Sequence, residues 1–418
     1  FPLIQLDDAS YVNNVVAERG LTWEGILWAF GHQTPFYWHP LTWLSFMLDA
    51  SFFGADATGG PHIVNAILHG LNSILVLLLL RKLTGKMHES ALAALVFAVH
   101  PLRVESVVWL AERKDVLCTF FSLLSLWLYA QYASKPFHAA RYAAFAVAGM
   151  CAMMAKPMAV TLPFVMLLLD WWPFARVRAI GKCIAEKIPL VAFAGFTSWQ
   201  IMQSNATEAA ASISGLTLGV QAANAITAYA RYLLDTIWPY PLALYYPYST
   251  AIPVFVIVAS AAVIIGITLA CILQYRRRPY LLTGWFWFVG MLVPVSGFVQ
   301  SGMTSRADRF TYLPHVGLLM AAVLLVSDLL DSQPARKRQA VLAVIAFAVF
   351  LAAMTSVRLN DWSDVFKLYS HDLAITGENP RLQFQYGLIL QTAGRAVEAE
   401  TDRKSTRLNS SHSQQSRM

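Results

Sequence analysis

Charged side chains are scarce in this chain. Asp, Glu, Lys and Arg make up only 13% of its 418 residues, where an ordinary soluble domain has about 25%. Hydrophobic residues make up 57%, and they fall in runs of roughly 16 to 24 residues, about the length that crosses a bilayer as a helix. A soluble core has no place for so many runs, so the composition predicts an all-α protein that spans a membrane repeatedly.

Further absences narrow the function. The four cysteines are far apart and lie mostly inside apolar runs, so their spacing indicates neither a zinc site nor a redox pair. The chain has no GxxxxGK[ST] loop and no GxGxxG turn to hold a nucleotide phosphate. The net charge of +7 comes from basic residues that lie beside the apolar runs. This placement suits membrane topology better than nucleic-acid binding, so we expect no nucleic-acid partner.

Both ends of the chain are typical of a fragment. The first residue is Phe1, and the tail at residues 402–418 opens with the string DRKSTRLNSSH, which resembles a translated sequencing adapter. We therefore expect a first membrane helix to be missing, and we expect the tail to be a disordered artefact.

The apolar runs predict about ten spans. Fifteen Lys and Arg residues, among them Arg176 and Lys187, lie in five short loops between these runs. All five loops fall on one side if the spans alternate, and the positive-inside rule makes that side cytoplasmic. The spans are expected near residues 62–83, 90–101, 115–133, 140–155, 158–173, 187–203, 251–274, 279–298, 311–330 and 339–356.

This alternation sets the domain organisation. Residues 1–61 form a first outer loop, residues 62–357 form the membrane domain, and residues 358–401 return to the same periplasmic or lumenal face. An apolar stretch within residues 204–250 would break the charge pattern if it were a span. Prolines and the aromatic residues Trp238, Tyr240, Tyr245, Tyr246 and Tyr248 follow it, and such residues are typical of an interfacial belt. We therefore expect a helix that lies on or dips into the outer surface.

Ionisable residues gather on the predicted outer side, where topology does not explain them. Such groups are costly at membrane depth and are functional candidates. Arg and Lys could bind the phosphate of a polyprenyl-phosphate sugar at headgroup level, and a carboxylate opposite could take the proton of an acceptor hydroxyl. The candidates are Asp7, Asp8, His100, Arg103, Glu105, Glu112, Arg113, Lys114, Asp115, Lys156, Arg306, Asp308 and Arg309.

Each candidate also has a purely structural interpretation. Adjacent aspartates often stay solvated or cap a helix. Arg103 with Glu105, and Arg113 with Asp115, can form interfacial ion pairs. Lys156 can extend to the lipid headgroups.

Two further features have structural interpretations that we prefer. His62 and His69 share a helical face but make an incomplete metal site, so packing or hydrogen bonding is expected. Asp170 precedes two tryptophans at a predicted cytoplasmic boundary, where an anchoring role is expected.

Residues 358–401 change character and become amphipathic. The string ENPRLQFQYGLILQTAGRAVEAE resembles a tetratricopeptide repeat, with Asn379-Pro380 ending one repeat and Gly394-Arg395 in the turn of the next. Residues 363–377 are expected to be the closing helix of the preceding repeat. Repeats need neighbours to bury their faces, so this segment predicts the start of a longer array.

Five motifs follow one another in a characteristic order. They are LDDASYV, YWHPLTWLSFMLD, HPLRVESVVWLAERKDVL, AKPMAVTLPFVMLLLDWWP and RADRFTYLPHVGLLM. With the trailing repeat, the chain resembles the bacterial relatives of the transmembrane and tetratricopeptide-repeat-containing O-mannosyltransferases, a family of membrane glycosyltransferases that use polyprenyl-phosphate sugars.

The resemblance implies a GT-C type helical membrane fold with a catalytic first outer loop. It also implies that Asp7 and Asp8 match the family's acidic pair, which supplies the catalytic carboxylate, and that Glu105 of the next outer loop joins them. The expected phosphate-binding residues are Arg103, Arg113, Lys114, Lys156, Arg306 and Arg309.

The resulting hypothesis is transfer of a monosaccharide from a polyprenyl phosphate to a hydroxyl, such as a protein Ser or Thr. It places the protein in a bacterial inner membrane, with the repeats recruiting the acceptor protein on the periplasmic side. No cofactor is required, although Asp7, Asp8 and Glu105 could hold a divalent metal. The alternatives are a non-catalytic membrane scaffold for envelope assembly and a carrier of lipid-linked sugars, which the few charges at mid-depth disfavour.

Overall fold

A computed structural model describes residues 1–4, 7–31, 38–55, 59–205, 216–297, 304–377 and 379–395. The expected tail at 402–418 lies outside these residues. Helices form almost all of the regular structure, because a helix satisfies its own backbone hydrogen bonds where lipid offers none.

The helices follow the apolar runs and end at prolines and glycines. They are α1 (Asp8–Val12), α2 (Val15–Glu18), α3 (Trp23–Gly31), α4 (Pro40–Phe53), α5 (Gly59–Thr84), α6 (Met87–Val99), α7 (Val104–Val108), α8 (Arg113–Ala133), α9 (Ala139–Ala155), α10 (Leu162–Trp171), α11 (Ile180–Asn205), α12 (Leu218–Ile237), α13 (Val254–Leu273), α14 (Pro279–Leu292), α15 (Pro314–Leu329), α16 (Pro334–Asp361), α17 (Val365–Thr376) and α18 (Pro380–Thr392).

Short elements connect several of these helices. Two strands, β1 (Tyr246–Pro247) and β2 (Thr304–Arg306), pair antiparallel, with Tyr246 opposite Arg306. The 3-10 turns are Pro101–Arg103, Leu110–Glu112, Pro157–Thr161, Arg176–Ala179, Val293–Val295 and Asp308–Thr311.

Four helices of the described residues are long and apolar enough to cross a membrane. A fifth span is formed if α6 and the bent segment Pro101–Val108, at 62° to it, are counted together. These helices make the chain a membrane protein, but the predicted count of ten spans is not confirmed. The four are Gly59–Thr84, Leu110–Ala133, Val254–Leu273 and Pro334–Asp361.

Other predicted spans form helices that are too short or too polar to be counted with these four. Four of them are apolar helices of only 10–17 residues, namely Ala139–Ala155, Pro157–Trp171, Pro279–Val295 and Pro314–Leu329. Helix α11 is longer, but it is not one of these apolar helices, because Lys182, Glu186 and Lys187 interrupt its first half.

Prolines set two of the helix ends that matter for the site. The residue before a proline is disfavoured in helical geometry, and both His100 and Lys156 have extended backbones, with ψ of 132°. Helices α6 and α9 therefore stop at these two residues. Each side chain is left at the end of an apolar helix instead of on its lipid-facing surface.

Helix α12 forms most of the segment predicted to be interfacial. It is not among the helices that meet the length and hydropathy of a span, which agrees with leaving it out of the span count. Trp238 and Tyr240 after it are exposed, but Tyr246 is buried. The expectation that these aromatic residues all form an interfacial belt is therefore wrong for Tyr246, which packs inside the protein.

The C-terminal helices α17 and α18 form a hairpin that contacts the membrane domain. Gly377, with φ of +64°, ends α17, and the side chain of Asn379 caps α18 by accepting from Leu382 N. The Asp372 carboxylate accepts from Leu244 N at 2.6 Å. Gly394, with φ of +75°, lies in the predicted turn. The hairpin is present as expected, while its identity as a tetratricopeptide repeat stays a prediction.

A buried ionic cluster joins α8, α10 and α11 on the predicted cytoplasmic side. Lys187 contacts Asp170, and Arg176 pairs with Asp170 at 2.8 Å and with Glu186 at 2.7 Å. Tyr129 donates to Asp170 at 2.5 Å. Asp170 is thus not the membrane-boundary anchor that its sequence context predicted. Two of the fifteen topology-setting cations, Arg176 and Lys187, are neutralised inside the protein.

We predict that Asp170→Asn lowers the free energy of unfolding by about 3–5 kcal/mol, because Lys187 then stays buried beside a neutral partner. Denaturant titration in mixed micelles measures this change. Asp331→Asn is the matched control, since it removes the same charge from the exposed pair with Lys337, and it should have little effect. Equal stability of the two variants would contradict a structural role for the cluster.

Candidate functional site

The two aspartates of the first loop lie in different environments. Asp8 is buried, and its two carboxylate oxygens accept from Ile4 N at 2.7 Å and from Ala111 N at 2.8 Å. Asp7 precedes α1, is only partly buried, and makes no hydrogen bond that caps the helix. Asp8 therefore fixes the first loop against the segment that precedes α8, while Asp7 has the more accessible carboxylate.

Next to this contact, six ionisable side chains form one connected group, which we call the outer ionic network. They come from three parts of the chain that are distant in sequence: residues 105–115 between α6 and the first turn of α8, the α9–α10 break, and the 3-10 turn before α15. The members are Glu105, Glu112, Lys114, Asp115, Lys156 and Arg309.

Glu112 is at the centre of the network. Its Oε1 atom lies 3.4 Å from Lys114 Nζ and 3.1 Å from Arg309 Nε, and its Oε2 atom lies 3.2 Å from Lys156 Nζ. Lys156 also contacts Asp115, and Arg309 contacts Glu105 with its guanidinium and its backbone N–H. Three cations therefore converge on a single carboxylate.

The charges of the outer ionic network balance. Its three carboxylates face three cations, and every member except Arg309 is buried. Burying an uncompensated charge costs several kcal/mol, so this balance is what makes the arrangement stable.

Arg103 is separate from the network. It is 2% exposed, and its guanidinium lies about equally far from the Phe97 and Tyr312 rings, at 5.0 and 5.1 Å from their centroids. One nitrogen hydrogen-bonds His315 Nδ1 at 2.6 Å, while Nε and Nη1 have no hydrogen-bond partner among the described residues. Arg103 does not pair with Glu105, so the predicted interfacial ion pair between them is wrong.

The buried side chain of Arg113 hydrogen-bonds to other residues of the protein. Its guanidinium donates to Ser45 and to Asp49, each at 2.7 Å, and also to Asn65 and to the Pro61 carbonyl. The structural interpretation expected an ion pair between Arg113 and Asp115, and this expectation is wrong. With four hydrogen bonds already made, Arg113 braces α4 and α5 against the start of α8.

Arg306 belongs to another group beside the network. It pairs with Asp235 at 2.7 Å and lies 3.5 Å above the Tyr246 ring. Tyr246 donates to Asp308 at 3.0 Å. Burial, with Glu105 nearby, raises the pKa of Asp308 to about 8. Asp235 and Tyr246 were missed as partners, because no local pattern links positions that far apart in sequence.

Two structural interpretations have clear outcomes. Lys156 is buried and paired with Glu112 and Asp115, so it does not extend to the headgroups. His69 bonds the Tyr312 hydroxyl at 2.5 Å and the Ala98 carbonyl at 3.0 Å. Hydrogen bonding was the expected role for this histidine, and it is confirmed. The side chain of His62 packs against Phe1.

A metal site finds no support in the described part of the chain. No three His, Cys, Asp or Glu side chains of those residues come together as metal ligands would. Asp7, Asp8 and Glu105 therefore do not gather as the possible divalent-metal site would require.

Apolar helices with a balanced ionic network at their ends define a helical membrane protein with a candidate catalytic site. No family model and no solved structure matches the chain. Several curated relatives do match it, and their names describe protein O-mannosyl-transferases.

Three relatives illustrate the match. Protein O-mannosyl-transferase TMTC4 of Mus musculus is 38% identical over 107 residues, 22% of this chain and 14% of the relative. Protein O-mannosyl-transferase TMTC2 of Homo sapiens is 32% identical over 145 residues, which are 34% of this chain and 17% of the relative. A protein O-mannosyl-transferase of Caenorhabditis elegans is 23% identical over 390 residues, 87% of this chain and 52% of the relative. The chain spans at most about half the length of these relatives, and it is similar to that group.

We predict that Asp8 makes stability fall as pH rises from about 4 to about 7. Burial raises the pKa of Asp8 from 3.8 to about 7, so in this window the folded state holds a proton that the unfolded state releases. Stability therefore decreases with pH. The difference in unfolding free energy between the protein and Asp8→Asn, measured across this window, should shrink as pH rises. A constant difference would contradict the prediction.

Proposed function

We propose that the protein is a membrane glycosyltransferase that moves a monosaccharide, as the relatives' names imply mannose, from a polyprenyl phosphate to a hydroxyl. The observation that carries the proposal is the convergence of Lys114, Lys156 and Arg309 beside the loop that holds Asp7. Cations bind and neutralise a phosphate leaving group. A nearby partly exposed carboxylate can serve as general base.

Asp7 is the base in this proposal, and Asp8 is its structural neighbour. Asp7 accepts the proton of the acceptor hydroxyl as the hydroxyl oxygen bonds to the sugar's anomeric carbon. The bond from that carbon to the phosphate oxygen breaks, and the phosphate leaves on its lipid. Attack opposite the leaving group inverts the configuration at that carbon. Asp8 is assigned the positioning role because both of its oxygens are held by backbone amides.

The cations of the network stabilise the departing phosphate. Lys114, Lys156 and Arg309 are its ligands in the proposal, because they already surround one carboxylate. Arg113 braces the site through its bonds to Asp49 and its neighbours. Arg306 holds the adjacent loop through Asp235.

Arg103 is assigned an indirect role in this proposal. It is buried and bonds the Thr311 hydroxyl at 3.4 Å and His315, which places its charge near the turn that carries Arg309. Glu105 orients Arg309 through two hydrogen bonds. In this proposal Glu105 is a positioning residue and makes no contact with the sugar.

The remaining parts of the proposal concern partners and location. The acceptor is a protein Ser or Thr hydroxyl, recruited by the α17–α18 hairpin and the repeats expected to follow it. The donor is the polyprenyl-phosphate sugar, and no cofactor is assigned. The active face is periplasmic in a bacterial inner membrane, which is the side expected for both the first loop and the hairpin.

We predict that Asp7→Asn lowers the rate of sugar transfer by about 10²-fold or more and leaves the unfolding free energy almost unchanged, because Asp7 is partly exposed. The measurement follows label from a polyprenyl-phosphate sugar in lipid nanodiscs to the acceptor. Asp8→Asn is the matched variant, and it should reduce stability as well as transfer. Full activity of a folded Asp7→Asn protein would overturn the assignment. If the folded protein transfers sugar from none of a broad panel of lipid-linked donors, the result would favour the non-catalytic membrane scaffold instead.

A further inference from the structure

Glu112 differs from the other two carboxylates of the outer ionic network in what holds it. Glu105 also accepts from the Arg309 backbone N–H at 2.9 Å, and Asp115 also accepts from the Ser106 hydroxyl at 3.4 Å. Glu112 shares a side-chain hydrogen bond with Asp115, and it is the only carboxylate of the network that pairs with all three cations, Lys114, Lys156 and Arg309. The side chains of Lys114 and Lys156 are long and flexible, and Arg309 is partly exposed. These three cations can therefore exchange one anion for another.

The charge balance restricts how a phosphate can enter. The network has three negative and three positive side chains. An added phosphate would leave at least one uncompensated negative charge in a buried site, which is costly. One carboxylate must therefore give up its cations when the phosphate arrives. Glu112 is the one that pairs with all three proposed phosphate ligands, whereas Asp115 pairs with Lys156 and Glu105 pairs with Arg309.

We infer that Glu112 occupies the place of the donor phosphate before the donor binds and competes with that phosphate for Lys114, Lys156 and Arg309. The inference rests on the proposed function and extends it to how the site is regulated. Glu112 keeps the three cations gathered and compensated when no lipid is bound. After transfer it competes for the same cations and so favours release of the polyprenyl phosphate.

The backbone connects this exchange to the first loop. Glu112 follows Ala111, whose N–H donates to Asp8 at 2.8 Å, and the short turn Leu110–Glu112 leads directly into α8. The position of Glu112 is therefore fixed by the same contact that places Asp7 beside the site. In this inference the Glu112 side chain withdraws by rotation about its own bonds, and the backbone contact is kept.

Binding of polyprenyl phosphate without sugar to the protein in lipid nanodiscs tests the inference. Glu112→Gln keeps the shape of the side chain and removes its charge, so we expect affinity for this lipid to rise on the order of tenfold. Asp115→Asn removes the same charge from the same network, and Glu112→Asp keeps the charge. Neither control should gain comparable affinity. Unfolding curves establish that each variant is folded.

The outcomes separate the inference from the proposed function. A gain confined to Glu112→Gln, with stronger inhibition of transfer by added polyprenyl phosphate, supports the exchange. Equal gains in Glu112→Gln and Asp115→Asn would show that only net charge matters and would overturn it. Unchanged binding in Glu112→Gln while the protein transfers sugar would also overturn it and leave the proposed function intact. Absence of both lipid binding and transfer in folded protein would overturn both.

Discussion

Compensation of buried charge is the constraint on which the rest of this structure depends. The apolar helices would pack without Glu112 or Lys156, but these residues are buried, and each needs a partner of opposite sign within a few ångströms. The partners come from connections far apart in the sequence, so the helix ends must meet at one place. The cluster of Asp170, Arg176 and Lys187 imposes the same requirement at another set of helix ends. The two clusters together restrict how the helices can shift along one another.

The helix breaks make this compensation possible. His100-Pro101 and Lys156-Pro157 end two apolar helices with extended backbone, and each break turns a polar residue toward the interior. An uninterrupted helix would instead place a charge at membrane depth, where it is expensive. The same prolines end α6 and α9 after 13 and 17 residues, so neither helix alone is among the four that are long enough to cross a membrane.

The sequence predicted the all-α class and the positions of most helices, because hydrophobic runs are local signals. Its candidates included all six members of the outer ionic network, but also Arg103, Arg113 and Arg306, which lie in other groups. It did not predict which residues pair with each other. Arg103 was paired with Glu105 by proximity along the chain, yet it lies against the rings of Phe97 and Tyr312 and bonds His315. The sequence cannot distinguish the roles of Asp7 and Asp8, because they are adjacent residues of the same type. Only the packing of Asp8 against Ala111 distinguishes them. Partners separated by a hundred or more residues leave no local pattern.

The α17–α18 hairpin is attached to the membrane domain at points close to the site. Asp372 accepts from Leu244 N, Asn379 donates to the Tyr245 carbonyl at 3.4 Å, and the adjoining Tyr246 bonds Asp308, next in sequence to Arg309. A force on the hairpin would therefore be transmitted to Arg309 through a few hydrogen-bonded residues. The hairpin and the turn that carries Arg309 are thus mechanically coupled, so a displacement of one would strain the other.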